Sequence, residues 1–290
     1  MIIVELKGGF GNQLFQYAAG LSLAKHHSTD LKIDITHLQK PDEVTGTFRK
    51  VDVCNLAETP LVATTEELNY YQNLPTTIKY KNKLLPFYKR KIYKEKSNKF
   101  DTNFFDAGSN LLLRGNRQSE KYFKPCASLI KGKLCLSDKI IEPVKKYADY
   151  FNQHNSVSVH IRRGDYLSAV ALEWLGLLPM SYYEQAINLF KQGFPDCIFY
   201  IFSDDIYWVK KNLRTKYEHV FVSTNFSKSS MEDFYLLSQC KHNIVANSTF
   251  SWWAAWLNNN ADKMIIAPKK WYNKEKLNNA DLIPENWIKI

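Results

Sequence analysis

From residue 156 to residue 267 the chain alternates apolar runs of strand length with stretches of helical period, and this alternation narrows the fold more than any other feature. The runs cover 156–161, 197–202, 219–222, 243–246 and 264–267. Helices are predicted between them at 181–191, 206–213, 231–240 and 251–258. In the first of these, Tyr183, Ala186, Ile187 and Phe190 follow the i, i+3, i+4, i+7 spacing of a buried helix face. Strands separated by helices of this length are joined by crossovers, which gives an α/β chain with a parallel sheet. The first half starts the same way. A strand at 2–6, a loop at 7–11, a helix at 12–27 and a strand at 31–35 form one β-loop-α-β unit, with Leu14, Tyr17, Ala18, Leu21 and Lys25 on one helix face. Residues 40–130 show no comparable period and hold only short apolar pieces such as 110–113. Two α/β domains are expected, 1–150 and 151–290, divided in the polar stretch 147–155 that contains Asn152, Gln153, His154 and Asn155.

The charge is uneven. Lys79, Lys81, Lys83, Lys89, Arg90, Lys91, Lys94, Lys96 and Lys99 face the single acid Glu95, and together they carry most of the formal net charge of +10. Tyr80, Leu84, Leu85, Phe87, Tyr88, Ile92 and Tyr93 interleave with them. A solvated helical hairpin would account for this pattern. So would peripheral contact with an anionic membrane surface; nucleic acid ranks last among the readings. The five cysteines, Cys54, Cys126, Cys135, Cys197 and Cys240, lack the spacing of a zinc site and read as buried free thiols in a reducing compartment. No apolar run approaches a membrane span, and the start reads as a first strand instead of a leader, so a cytoplasmic chain, peripheral at the inner face of the membrane, is expected.

The chemistry clusters where strands end. His160-Ile161-Arg162-Arg163-Gly164-Asp165-Tyr166 closes the strand at 156–161. The carboxyl edge of an open parallel sheet is where ligands bind, and the guanidinium fork suits phosphate. The alternative is a surface Arg–Asp cluster. Gly8-Gly9-Phe10-Gly11-Asn12-Gln13 lies between a strand and a helix N-terminus, a place that favours anions, yet it matches neither a dinucleotide fingerprint nor a P-loop. Asn12 is either the cap of that helix or an amide facing the site. Ser203, Asp204 and Asp205 end another strand. Adjacent acids there point opposite ways, and no D-x-D triplet occurs, so Ser203 and Asp204 are assigned to the site and Asp205 to a helix cap. Asp233 is a first-turn acid or a ligand contact. Asn247-Ser248-Thr249-Phe250-Ser251-Trp252-Trp253 puts hydroxyls, an amide and helical N–H groups at one turn, enough to hold a diphosphate without a metal. Trp252 and Trp253 belong to the core in either case.

These segments, together with Leu14-Phe15-Gln16-Tyr17-Ala18 and the run from Asn247 to Leu257, resemble the bacterial α-1,2-fucosyltransferases of glycosyltransferase family 11. The likeness spans most of the chain and is loose over 40–150. It implies a GT-B-like fold of two Rossmann-like domains whose parallel sheets face a cleft, with the N-terminal domain on the acceptor side and the C-terminal domain binding GDP-fucose. It implies inverting transfer of L-fucose from GDP-β-L-fucose to the 2-hydroxyl of a galactose residue, with no cofactor and no metal. The acceptor implied is a galactose-terminated oligosaccharide, and the cytoplasmic expectation and the basic segment suggest that it is lipid-linked, in surface-polysaccharide assembly. By the same likeness Arg162 holds the diphosphate, His160 and Asp233 recognise guanosine, and Ser248, Thr249, Phe250 and Ser251 complete the phosphate pocket beside Asn247 and Gly11. Arg163 and Asp165 shape the loop, and Asn12 stands near the reacting centre. Asp165 and Glu173 are the candidate bases. Transfer of another nucleotide sugar, or a non-catalytic nucleotide- or glycan-binding module, are the competing readings.

Overall fold

The computed structural model describes residues 1–42, 46–274, 277 and 279–290. The chain forms two compact units, Met1–Cys135 with a return segment that ends at Pro284, and a second unit from Leu136 onward that also takes Glu285–Ile290. The division therefore falls earlier than the polar stretch 147–155. The reason is packing: two helices between residues 138 and 152 lie against a helix of the second unit.

In the first unit β1 (Ile2–Glu5) leads into α1 (Phe10–His26) and β2 (Leu31–Asp34). Then come α2 (Thr65–Gln72), α3 (Thr76–Leu84), β3 (Ile92–Lys94), β4 (Leu111–Arg114) and α4 (Ala127–Lys133). The sheet order is β2-β1-β4-β3, all parallel. Helix α1 is buried nearly all round, with Gln13, Gln16 and Ser22 inside and the expected face residue Leu21 only half-buried. It packs on β1 and β2 and is covered by α4 and the short turns at 52–55, 104–106 and 120–122, so a single apolar face would not suffice. The basic stretch is not a helical hairpin. It runs through α3 and a turn at 87–89 and then enters the sheet as β3, because Tyr93 is fully buried at the strand's centre.

The second unit opens with α5 (Asp138–Ile141) and α6 (Lys145–Asn152), which pack on the helix that precedes β8. Then follow β5 (Ser156–Ile161), α7 (Ala169–Trp174), α8 (Met180–Gly193), β6 (Ile198–Ser203), α9 (Ile206–Asn212) and β7 (His219–Phe221). The series ends with α10 (Ser230–Gln239), β8 (His242–Ile244), α11 (Thr249–Leu257), β9 (Ile265–Ala267) and β10 (Ile288–Lys289). The strand order β10-β9-β8-β5-β6-β7 is that of a doubly wound parallel sheet. Every residue of β5 is buried between layers, with Val157, Val159 and Ile161 packed against Tyr183, Ile187 and Phe190 of α8. Trp252 and Trp253 are fully buried, as expected.

All five cysteines are free, but only Cys197 and Cys240 are buried; Cys54 and Cys135 are exposed. Among the described residues no helix is long and apolar enough to cross a membrane.

Candidate functional site

In the second unit the chain leaves β5 toward β6 on one side, and β8 flanks β5 on the other. Crossovers diverge at this pair, and in open α/β sheets the carboxyl ends at such a point are where ligands bind. The loop after β5 carries Arg162 to Tyr166, and the loop after β8 leads into α11. The Tyr166 hydroxyl donates to the Asn247 carbonyl at 3.1 Å and ties the two loops together.

Arg162 is held from two sides. Its Nη2 reaches Asp165 Oδ1 at 2.5 Å and its Nη1 reaches Asp204 Oδ2 at 2.8 Å, while the guanidinium lies 5.2 Å from the Tyr166 ring. Its Nε is buried and has no hydrogen-bond partner. Two carboxylates thus fix the plane of the fork and leave N–H groups for a further acceptor. The Asp204 carboxylate also accepts from the Arg163 backbone N–H at 2.8 Å and lies so close over Gly164 that an added Cβ would overlap it. That contact is why a glycine follows the arginine pair. Arg163 turns away from Arg162: its guanidinium stacks 3.4 Å from the Trp208 ring centre and pairs with Asp205 at 3.3 Å. Asp205 in turn caps α9 by accepting from the Trp208 N–H. The adjacent acids Asp204 and Asp205 therefore both hold the β5 loop, and Asp205 also caps α9.

His160 is buried, and its Nδ1 has no partner. Burial first, and the Arg162 charge second, push its pKa down to about 3, so the ring is neutral at ordinary pH. It lies 5.5 Å from Phe250, which is 5.2 Å from Phe234 of α10. Asp233, one residue earlier, accepts from the hydroxyls of Ser223 and Ser227. Burial raises its pKa to about 6 against the pull of those two bonds. Ser223 also accepts from the Ser203 N–H, and the Ser203 hydroxyl accepts from the Asp205 N–H, which knits the carboxyl ends of β6 and β7 to α10.

The turn into α11 separates into two kinds of residue. Ser248 caps the helix by accepting from the Phe250 N–H, and Thr249 and Phe250 are half-buried at its first turn. Asn247 and Ser251 are occupied internally. The Asn247 amide donates to the carbonyls of Leu175, Gly176 and Trp271, and Ser251 accepts from the Ala246 N–H while donating to the Ser248 carbonyl. Of the expected bases, Asp165 is engaged by Arg162, and Glu173 is two-thirds exposed beside Lys274.

The first unit has its own divergence point, between β1 and β4. Here neutral amides do the work. Gln13 donates to the carbonyls of Gly8 and Lys50 and accepts from the N–H groups of Asp52 and Val53. Gln16 closes on both the N–H and the carbonyl of Lys7 and reaches Asn116. Asn12 does not cap α1; the cap is Gly9, because the helix starts earlier than expected. Instead the Asn12 Oδ1 accepts from Gln118 Nε2 at 2.9 Å. Gly8, with φ of +74°, takes the left-handed conformation that lets the loop turn, and its Cα faces the Asn12 amide. Gly11 is buried in the first turn of the helix.

Sequence reasoning missed Asn116, Arg117 and Gln118, which follow β4 directly. Arg117 is fully buried in a cage of Tyr93, Phe104 and Tyr122, with its guanidinium 4.3 Å from the Tyr93 ring. The available signal was Gly115 after an apolar run, but a run of four residues is too short to mark a central strand. Ser223 and Ser227, past the end of β7, were missed for want of a motif.

Two open parallel sheets in tandem, each with polar groups gathered at its divergence point, are the build of a GT-B-like glycosyltransferase. The chain belongs to glycosyl transferase family 11, whose family model matches residues 1–290. It is 34% identical over 297 residues to the alpha-1,2-colitosyltransferase of Escherichia coli, across 100% of this chain and 99% of that one. It is 29% identical over 318 residues to the O-antigen biosynthesis glycosyltransferase WbnK of Escherichia coli, covering 98% and 99% of the two chains. A shorter stretch of 103 residues is 37% identical to the galactoside 2-alpha-L-fucosyltransferase SEC1 of Bos taurus, 35% of this chain and 28% of that one. Among solved structures, a point mutant of Arabidopsis thaliana FUT1 in complex with GDP shares the fold with a TM-score of 0.50 at 12% identity, over 91% of this chain and 69% of that one.

Proposed function

We propose that this glycosyltransferase moves L-fucose from GDP-β-L-fucose to the 2-hydroxyl of a galactose residue, with inversion at the sugar carbon. The observation that carries the reading is the set of residues gathered where β5 and β8 diverge. There a neutral His160 with a free Nδ1, the doubly anchored Arg162 and the N-terminal turn of α11 come from loops tied together by Tyr166. Arg162 and the N–H groups at Ser248 and Thr249, at the start of α11, take the diphosphate and stabilise charge as GDP departs. His160, Phe250 and Asp233 receive the guanosine, and Asp233 is mostly ionised at pH 7 and accepts from the base. The transition state is loose and oxocarbenium-like, so the acceptor hydroxyl needs little base strength. In this reading Asp165 orients Arg162, and Asn12, with its oxygen fixed by Gln118, stands on the acceptor side.

A second reading of the donor has its own support. The full-length similarity to a colitosyltransferase favours GDP-colitose, whose sugar lacks the 3-hydroxyl of fucose. A site that hydrogen-bonds that hydroxyl rejects the deoxy sugar by about 10⁴–10⁵, whereas an apolar site discriminates far less. Turnover of both donors on one β-galactoside, with the anomer and linkage of the product read by NMR, decides this. An α-linked product at O2 from GDP-fucose supports the proposal. Turnover of GDP-colitose alone replaces fucose with colitose, and a β-linked product overturns inversion.

The acceptor is proposed to be a lipid-linked oligosaccharide of surface-polysaccharide assembly, met at an anionic membrane surface. Helix α3 supports this, since it buries none of its residues and exposes Tyr80, Leu84 and the following Leu85 among lysines. Such a surface lies on a membrane by burying apolar side chains between cations. Flotation with vesicles containing phosphatidylglycerol, for the wild type and for Leu84→Ser, tests it; no flotation of either protein removes the membrane from the account.

A further inference from the structure

The first unit holds a polar concavity of about 480 Å³ at the carboxyl edge of its sheet, and residues from the ends of all four strands line it. Glu5 ends β1 and Lys7 follows it, His37 follows β2, Lys94 ends β3 and Arg114 ends β4. Lys7, His37 and Lys40 also border a smaller hollow of about 120 Å³ that reaches Gly8 and Asn12. The two hollows thus share a wall, and the smaller one borders the glycine-rich loop at the divergence point.

Its acids and its cations are treated differently. Glu5 is buried against Arg114 at 2.7 Å, with His37 at 4.0 Å on its other oxygen. The Glu95 carboxylate is turned to the backbone N–H groups of Asn116 and Arg117, at 2.7 and 2.9 Å. Both acids are satisfied from within. Among the described residues the ammonium groups of Lys7, Lys40 and Lys94 have no ion-pair partner, whereas Lys32, Lys121, Lys133, Lys145 and Lys274 each have one. Three like charges around one concavity focus a positive field into it.

We propose that this concavity receives the acceptor and is built for an acceptor glycan that carries an anion, either a sugar carboxylate or a phosphate. The inference rests on the transferase reading, which places the nucleotide in the second unit and leaves this edge for the second substrate. Arg114 and Glu5, fixed against each other, present a donor and an acceptor to sugar hydroxyls, and the lysines hold the anion.

The test uses the whole chain and the double variant Lys40→Ala/Lys94→Ala, whose side chains are exposed. With GDP saturating, D-glucuronate and inorganic pyrophosphate are titrated by calorimetry, and the same variant is assayed with a neutral β-galactoside, a glucuronate-bearing one and a pyrophosphate-bearing one. Removing two exposed charges is expected to weaken the anion and raise KM for its acceptor about tenfold, with kcat, the neutral acceptor and GDP affinity unchanged. Whichever anion responds names the source. Equal effects on neutral and anionic acceptors, or a loss of GDP affinity with anion binding intact, overturns the proposal. If no acceptor is turned over, the transferase reading fails, and the titrations still decide the pocket: anion binding that the variant loses supports it, and no anion binding by the wild type rejects it.

Discussion

At the divergence point of the second unit the loop leaving β5 is made of charges, with Arg162 clamped by Asp165 and Asp204 and Arg163 by Asp205 and Trp208. At that of the first unit the loop leaving β1 is held by amides of α1, with Gln13 and Gln16 fully buried and Asn12 held by Gln118. Both devices fix a loop at a sheet edge, but they leave different things behind. The amide lattice satisfies backbone groups and adds no charge of its own, so the charge at that edge comes from Lys7, Lys40 and Lys94 around it. The ion-pair cluster keeps a guanidinium oriented with donors to spare, so it is poised for an anionic ligand. A strand-loop-helix segment rich in glycine and polar residues therefore need not be a ligand site throughout: in the first unit much of its polarity serves the loop itself.

The largest expected effect tests the charged side. Arg162→Ala lowers turnover by about 10²–10³, the usual loss for one donor to a developing anion. Arg162→Lys does not restore it, because an ammonium cannot bridge Asp165, Asp204 and the ligand in one plane. If the lysine variant keeps wild-type kcat, the forked geometry is irrelevant and the cluster is only a point charge.

The neutral side is tested by Gln13→Leu. It strands two carbonyls and two N–H groups at the loop, at a cost of about 3 kcal/mol in stability read by urea unfolding. Donor KM should not change in the folded fraction. A stable variant with lost activity would show the opposite, that this amide serves a ligand and that the two loops do not differ in kind. A milder change, Gly164→Ala, pushes the Asp204 carboxylate off its seat beside Arg162. It should weaken GDP about tenfold, in keeping with overpacking by about 1–2 kcal/mol, with unit-one stability unaltered.

Titration separates two groups inside the second unit. His160 has a folded pKa near 3 against 6.5 in the unfolded chain, so its contribution is full above pH 6.5 and is lost as pH falls toward 3. Asp233 is shifted the other way, from 3.8 to about 6, so its contribution is largest in acid and declines as pH rises through that window. Between pH 7 and pH 5, His160→Gln should flatten the loss of stability on acidification, and Asp233→Asn should steepen it. Urea midpoints at the two pH values read both signs. The smallest effect belongs to the surface. Lys81→Ala and Lys83→Ala, on a helix with no buried residue, change stability by less than about 0.5 kcal/mol.

What could be read from the sequence follows the same contrast. The second unit was legible because its strands and helices alternate at full length, and the chemistry of the β5 loop lies within seven consecutive residues. The pairing of Asp165 with Arg162 is local, three residues apart, and needed only the strand before it. In the first unit, β3 was hidden in a lysine-rich run because one wholly buried residue, Tyr93, is too little to show a period. The residue types of the Asn12 to Gln16 segment were legible, but their partners were not. Gln13 meets Lys50, and Asn12 meets Gln118, across 37 and 106 residues of chain. Only the parallel order β2-β1-β4-β3 brings those loops to one edge.

The central claim is that an oriented guanidinium in the second unit carries the departing diphosphate. It is tested most directly by GDP release from GDP-fucose with a β-galactoside acceptor, in excess EDTA, for the wild type and Arg162→Ala. The account predicts acceptor-dependent release that persists in EDTA and falls by about 10²–10³ in the variant. Release that stops in EDTA, or that is the same in both proteins, would contradict it.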